Sequence, residues 1–200
     1  IPSYTTLSIF YDPFEITYVN MCAKLEEIVA EENESVTNDP LIYHIPTCYE
    51  SPFNLDLDDV ARINRLSTEE VVSLHSKHHY YIYMLGFLPG FPYLGGLDTR
   101  IATPRLATPR LNVSAGSVGI AGEQTGIYPL PSPGGWRIIG KTPLRLYDSS
   151  NKPAILLSAG NYVRFYPVSY HEYNEIEQKV KNGTFRIKTT KYKGEAHVAN

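Results

Sequence analysis

Between residues 80 and 167 glycine and proline cut this chain into short β-branched and aromatic runs, too short for ordinary helices. The runs are Tyr80-Tyr81-Ile82-Tyr83-Met84, Ser117-Val118-Gly119-Ile120-Ala121, Gly126-Ile127-Tyr128, Trp136-Arg137-Ile138-Ile139, Leu144-Arg145-Leu146-Tyr147, Ala154-Ile155-Leu156-Leu157 and Tyr162-Val163-Arg164-Phe165-Tyr166. Turn residues space them fairly regularly, which predicts an all-β barrel or sandwich over 80–174.

Residues 1–79 follow other rules, and the change falls near Ser76-Lys77-His78-His79. Residues 4–11 alternate around Leu7, Ile9 and Tyr11 and predict a strand ended by Asp12-Pro13. Val19, Ala23, Leu25 and Ile28 among acidic and basic neighbours predict an amphipathic helix. Leu41-Ile42-Tyr43-His44-Ile45 predicts a strand stopped by Pro46. Strand, helix and strand make a small α+β layer that looks incomplete at its front. Two short helices follow, over 57–66 and 68–75, with Asp56 and Ser67 or Thr68 as N-caps. After Pro167 a helix is predicted over 169–181, and the lysine-rich remainder of 175–200 is expected to be mobile. The overall expectation is α+β, divided 1–79, 80–174 and 175–200.

Composition excludes several classes. With 42% hydrophobic and 20% charged residues the chain can bury a core, and its formal net charge of -3 leaves no basic surplus for nucleic acid. The helix pair at 57–75 resembles a DNA-reading unit only in spacing, because Asp58, Asp59, Glu69 and Glu70 would repel phosphate. No apolar run approaches a membrane span. Nothing at Ile1 reads as a secretory leader, and a start other than methionine reads as a fragment lacking its natural N-terminus. Cys22 and Cys48 are expected as buried thiols in a cytoplasmic protein rather than as a disulfide. His75, His78 and His79 read as a hydrated helix end, and no metal site is expected.

Four segments carry the chemistry. The loop Gly86-Phe87-Leu88-Pro89-Gly90-Phe91-Pro92-Tyr93 combines tight bends with rigid aromatic walls and can offer backbone N–H groups to an anion or carbonyl, which makes Pro89, Gly90 and Phe91 candidates. Ala-Thr-Pro-Arg occurs twice, ending at Arg105 and Arg110, and stiffened arginines can clamp a carboxylate or phosphate. Gly116, Ser117, Gln124 and Tyr128 lie along a strand and turn rich in small residues, where a ligand can approach closely. Ser117 lacks the G-x-S-x-G setting of a nucleophile. Gly135 and Trp136 follow, and Phe91, Tyr93, Tyr128 and Trp136 are expected to converge on one apolar groove. The run from Gly135 to Gly140-Lys141-Thr142 matches the P-loop pattern, but its middle favours a strand and Pro143 blocks a helix, so a hairpin turning at Gly140-Lys141-Thr142 is expected.

In this order, the Gly86 loop, Pro104-Arg105 with Pro109-Arg110, residues 115–129 and residues 133–143 resemble the family of allophanate hydrolase subunit 1 and the 5-oxoprolinase B subunit. That family includes sporulation-kinase inhibitors and the matching half of urea carboxylase's carboxyltransferase domain. The resemblance implies a cyclophilin-like β-barrel preceded by an N-terminally incomplete ferredoxin-like α+β domain. It implies one component of an ATP-dependent 5-oxoprolinase, inactive alone, which works with the A and C subunits to open 5-oxo-L-proline to L-glutamate. The C subunit is of the allophanate hydrolase subunit 2 type. ATP is then a co-substrate. The alternatives are a histidine-kinase inhibitor, or half of a biotin-dependent carboxyltransferase, although the chain carries no Met-Lys biotin-attachment motif. No residue stands out as the catalytic base.

Overall fold

A computed structural model describes residue 1, residues 6–31 and residues 39–193, and the chain divides into units 1–39 and 40–200. In the first unit, helix α1 (Tyr18–Glu31) follows a turn in which the Asp12 carboxylate accepts the Phe14 N–H at 2.8 Å. The apolar period predicts this helix, and its Val19 and Ile28 are exposed. The predicted strand over 4–11 begins outside the described residues, and 6–11 form only an isolated bridge at Leu7.

The second unit opens with β1 (Leu41–Thr47). Two helices follow, α2 (Leu57–Asn64) and α3 (Thr68–Lys77). Next come β2 (Tyr80–Leu85), β3 (Pro92–Gly95), β4 (Arg110–Val113), β5 (Ser117–Ala121), β6 (Gln124–Ile127), β7 (Ser132–Gly134) and β8 (Arg137–Lys141). Finally β9 (Tyr162–Pro167), α4 (Tyr170–Lys181) and β10 (Thr189–Lys191) complete it. The main sheet runs β10-β1-β9-β2-β3-β6-β5-β8, antiparallel except for β1 beside β9, and β4 pairs with β7 separately. Cys48, just past β1, exchanges backbone hydrogen bonds with Lys141 of β8 at 2.8 and 2.9 Å, which joins β1 to β8 and closes the strands between them into a barrel, with β10 outside the ring. Closure removes an edge that would otherwise invite foreign strands.

The strand over 41–47 therefore belongs to the barrel and not to a separate N-terminal layer. It also runs through Pro46. His44, two residues earlier, donates its N–H to Lys188 at 3.0 Å, and β10 reaches back only as far as Tyr43. N–H groups two apart point to the same flank, so the donor missing at Pro46 falls where no strand pairs.

Inside the barrel lie Ile45, Ile82, Leu94, Val118, Ile120, Ile127, Ile139, Val163 and Phe165, capped by Val60 and Val71 of α2 and α3. Ser67 and Ser169 begin α3 and α4 with full capping boxes, paired with Glu70 and Glu172. His75 is fully buried here, contrary to the expected hydrated helix end. The Thr125 hydroxyl donates to Gly119 O at 3.0 Å, so it accepts from His75 Nε2 at 2.8 Å, and His75 Nδ1 accepts from the Tyr49 hydroxyl at 2.7 Å. Burial drives this imidazole's pKa down to about 3.

Other expectations also change. Residues 144–147 and 154–157 meet only at a Tyr147–Ile155 bridge, because Leu144 and Leu146 satisfy their apolar pattern by packing into the core. Gly140 and Lys141 lie within β8, so the P-loop-like run is strand and not turn. The segment expected to be mobile is partly ordered, since β10 pairs with β1 and Phe185 and Ile187 pack on the core. Both cysteines are free; Cys48 is buried and Cys22 half-buried. Among the described residues no helix is long and apolar enough to cross a membrane.

Candidate functional site

The Gly86 loop reverses direction between β2 and β3 through a left-handed Gly90 and a left-handed Phe87 (φ 66°). Gly90 is buried against the Leu146 carbonyl and supplies the bend, while Pro89 is exposed. The turn drives Phe91 inward onto Tyr128 (5.7 Å between ring centroids), Trp136 (5.5 Å) and Tyr93 (5.6 Å), in edge-to-face contacts. This packing depends on missing side chains. A Cβ on Gly134 would collide with the Tyr128 hydroxyl, and one on Gly126 would press on Trp136 and Phe91 at 3.0 and 3.2 Å. The aromatic groove expected from the sequence is thus formed.

The groove encloses about 360 Å³, and among the candidates Phe91, Arg105, Gln124, Tyr128, Gly135 and Trp136 line it. Phe87, Tyr93, Pro109, Pro133 and Gly134 complete the lining. Of these, Pro109, Pro133 and Gly134 are not among the sequence candidates, although the Pro109-Arg110 unit and the Pro133-Gly134-Gly135 run are the available signals.

Residues 103–110 form a strap pinned along its length. Thr103 and Gly122 exchange backbone hydrogen bonds at 3.2 and 2.8 Å. Arg137 Nε donates to the Pro104 carbonyl at 2.9 Å, and Leu106 N–H donates to the Gly135 carbonyl at 2.7 Å. At the far end Arg110 donates to both Asp56 oxygens at 2.9 and 2.6 Å.

The duplicated arginines therefore have different fates. Asp56, 5% exposed, is the N-cap residue of α2 as expected, but its side chain makes no capping hydrogen bond; its carboxylate instead holds Arg110 and the Ile138 N–H at 2.6 Å. Arg110 is a structural anchor, already neutralised. Arg105 is exposed at the groove and has no carboxylate partner among the described residues. Burial pushes the Tyr128 phenol pKa up, while a hydrogen bond from the Trp136 backbone and the positive charges of Arg105 and Arg110 pull it back.

The remaining candidates stay outside the groove. Gly116 is left-handed and lies against the Thr142 carbonyl, donating its N–H to the Tyr128 carbonyl at 2.7 Å. Ser117 is buried, with its hydroxyl 3.2 Å from that of Ser114 and no base beside it among the described residues. These two shape the strand that carries Tyr128. The groove as built offers an apolar aromatic box, an amide at Gln124 and a cation at Arg105. That set suits a small ligand that carries both a carboxylate and an amide.

The chain is 46% identical over 188 residues to the B subunit of 5-oxoprolinase from Bacillus subtilis, covering 88% of this chain and 78% of that one. It is 45% identical over 159 residues to the B subunit of 5-oxoprolinase from Haemophilus influenzae, covering 80% and 74%. The crystal structure of a conserved uncharacterized protein from Pyrococcus horikoshii superposes with a TM-score of 0.65 at 48% identity, over 82% of this chain and 74% of that one. Residues 1–157 match the family described as carboxyltransferase domain, subdomain C and D, and the chain belongs to that family.

Proposed function

We propose that this chain is the B subunit of an ATP-dependent 5-oxoprolinase, acting with the A and C subunits to open 5-oxo-L-proline to L-glutamate. The observation that carries the reading is its 45–46% identity, over most of both chains, to two relatives bearing that name. The groove supplies the matching chemistry. Arg105 receives the substrate carboxylate, the Gln124 amide pairs with the lactam, and the aromatic walls exclude water around the ring.

A lactam resists hydrolysis because its nitrogen donates into the carbonyl. Transfer of the γ-phosphoryl group from ATP to the carbonyl oxygen creates an oxygen leaving group. ADP leaves, water adds to that carbon and the C–N bond opens, which leaves γ-glutamyl phosphate; a second water cleaves this acyl phosphate to glutamate and phosphate. No carboxylate or imidazole lines the groove among the described residues, so this reading draws the base that activates water from a partner protein. The Gly140-Lys141-Thr142 run does not hold the ATP phosphates, since a strand buries Gly140 against the Cys48 carbonyl. The same reading takes the closed barrel as cyclophilin-like, residues 1–39 as part of a ferredoxin-like layer, and the complex as cytoplasmic. Neither the histidine-kinase inhibitor nor the biotin-dependent carboxyltransferase half is favoured by the relatives found.

Reconstitution tests the proposal. The chain is combined with the A-type and C-type 5-oxoprolinase proteins of the same genome, and glutamate release from 5-oxoproline is followed with ATP. Release that stops when this chain alone is omitted is the expected result. Release that continues without it overturns the assignment.

A further inference from the structure

A second cavity, of about 430 Å³, lies over the β10-β1-β9 part of the sheet, away from the aromatic groove. His44, His79, Arg164, Lys191 and Lys193 line it, and among the described residues no carboxylate does. His44 sits directly opposite Arg164 across the β1–β9 pair. Its Nε2 is 2.9 Å from the Thr190 hydroxyl, and its N–H is bound to the Lys188 carbonyl, which brings another lysine alongside. Tyr192 stacks on Tyr162 at 4.0 Å and meets the His79 ring edge-on at 5.8 Å, which fixes that imidazole at the rim.

A chain of net charge -3 has acidic residues to spare, yet none of the described ones lines this cavity. An anion would pair with the Arg164 guanidinium and favour the charged form of the imidazoles beside it. The convergence of Arg164, Lys193, His44 and His79 favours a group with several oxygens and two charges over a single carboxylate.

We infer that this cavity is a binding site for a phosphate-bearing small molecule, with Arg164 as the principal donor and His44 and His79 beside it. The inference does not rest on the 5-oxoprolinase reading and stands or falls separately. Without ligand, burial and the charges of Lys188, Arg164 and His79 hold the His44 pKa low. Burial with the charges of Arg164 and His78 does the same for His79, and His78 itself faces Asp98 at 3.5 Å. A bound dianion outweighs these positive charges, so binding takes up protons and tightens as the pH falls.

The full 200-residue chain is titrated with sulfate, whose charge is fixed between about pH 5.5 and 8, while the His44 and His79 ring protons are followed by NMR. Both pKa values are expected to rise by about one pH unit at saturation. Tripolyphosphate and ATP are then compared by calorimetry on the wild type, Arg164→Gln and His44→Gln. Arg164 is exposed, so its variant folds normally, and a loss of at least about tenfold in affinity is expected. ATP binding more tightly than tripolyphosphate assigns the site to a nucleotide, and equal affinities assign it to the phosphate chain alone. Unmoved histidine pKa values, or equal affinity in Arg164→Gln and wild type, overturn the inference.

Discussion

Arg110→Ala separates the two arginines of the duplicated motif. In the wild type the Asp56 carboxylate is 5% exposed and accepts three hydrogen bonds, two from Arg110 and one from the Ile138 N–H. The variant leaves that carboxylate buried with the Ile138 N–H alone. Deleting one partner of a buried ion pair costs about 3–5 kcal/mol. The Arg110 side chain is 29% exposed, so water reaches the vacated space and the lower end applies, about 3 kcal/mol. With a urea dependence of about 2 kcal/mol per molar, the unfolding midpoint falls by about 1.5 M. Arg105→Ala, an exposed change, moves stability by no more than about 0.5 kcal/mol. In a double-mutant cycle Asp56→Ala with Arg110→Ala is expected to cost well under the sum of the single changes. A midpoint in Arg110→Ala within about 0.3 M of that in Arg105→Ala would refute the anchoring role and return Arg110 to the pool of ligand-binding residues.

Gly134→Ala forces the Tyr128 hydroxyl out of its place, so a loss of about 1–3 kcal/mol is expected in urea melts, with weaker substrate binding in the complex; unchanged stability would contradict the close approach. His75 is neutral in the fold with a pKa of about 3, whereas the unfolded chain protonates it near 6.5. Its neutral form therefore contributes fully above about pH 6.5, and stability is lost at up to about 1.4 kcal/mol per pH unit as the pH falls from there towards 3. His75→Gln should flatten the acid side of the stability profile by about one proton, and parallel profiles would show that His75 does not carry the loss. Phe87 holds a left-handed backbone while 74% exposed at the rim of the groove. Phe87→Gly is expected to keep or gain up to about 1 kcal/mol of stability while raising the KM for 5-oxoproline, and a loss above about 1 kcal/mol would show that the ring supports the fold.

Local pattern carried much of this structure into view. Glycine and proline spacing located β2, β5, β8 and β9, and the capping residues located α2 and α3. What escaped was set by distant partners. Pro46 reads as a stop until β10 is seen to end short of it, and β10 itself is only Thr189–Lys191, too short and polar to signal a strand. Residues 144–147 alternate like a strand, but three-dimensional packing uses the alternation without a ladder. In the site, Phe91, Tyr93, Tyr128 and Trp136 were legible because rigid rings in glycine-rich turns have few other places to pack. The roles of Arg105 and Arg110 were not. The two sit in identical four-residue units, and only Asp56, 54 positions from Arg110, distinguishes them. Gly116 and Ser117 lie outside the groove, in a motif where Gly116 and Gly119 let neighbouring backbone approach closely.

The central claim is that the groove of this chain holds the substrate through Arg105. The most direct test is the steady-state kinetics of 5-oxoproline opening in the reconstituted complex with Arg105→Ala. A lost charged hydrogen-bonding partner costs about 1.5–3 kcal/mol, so KM should rise roughly 10- to 150-fold while the complex assembles and melts as the wild type does. A KM within about twofold of wild type, in an assembled and active complex, would contradict the account and place the substrate carboxylate elsewhere.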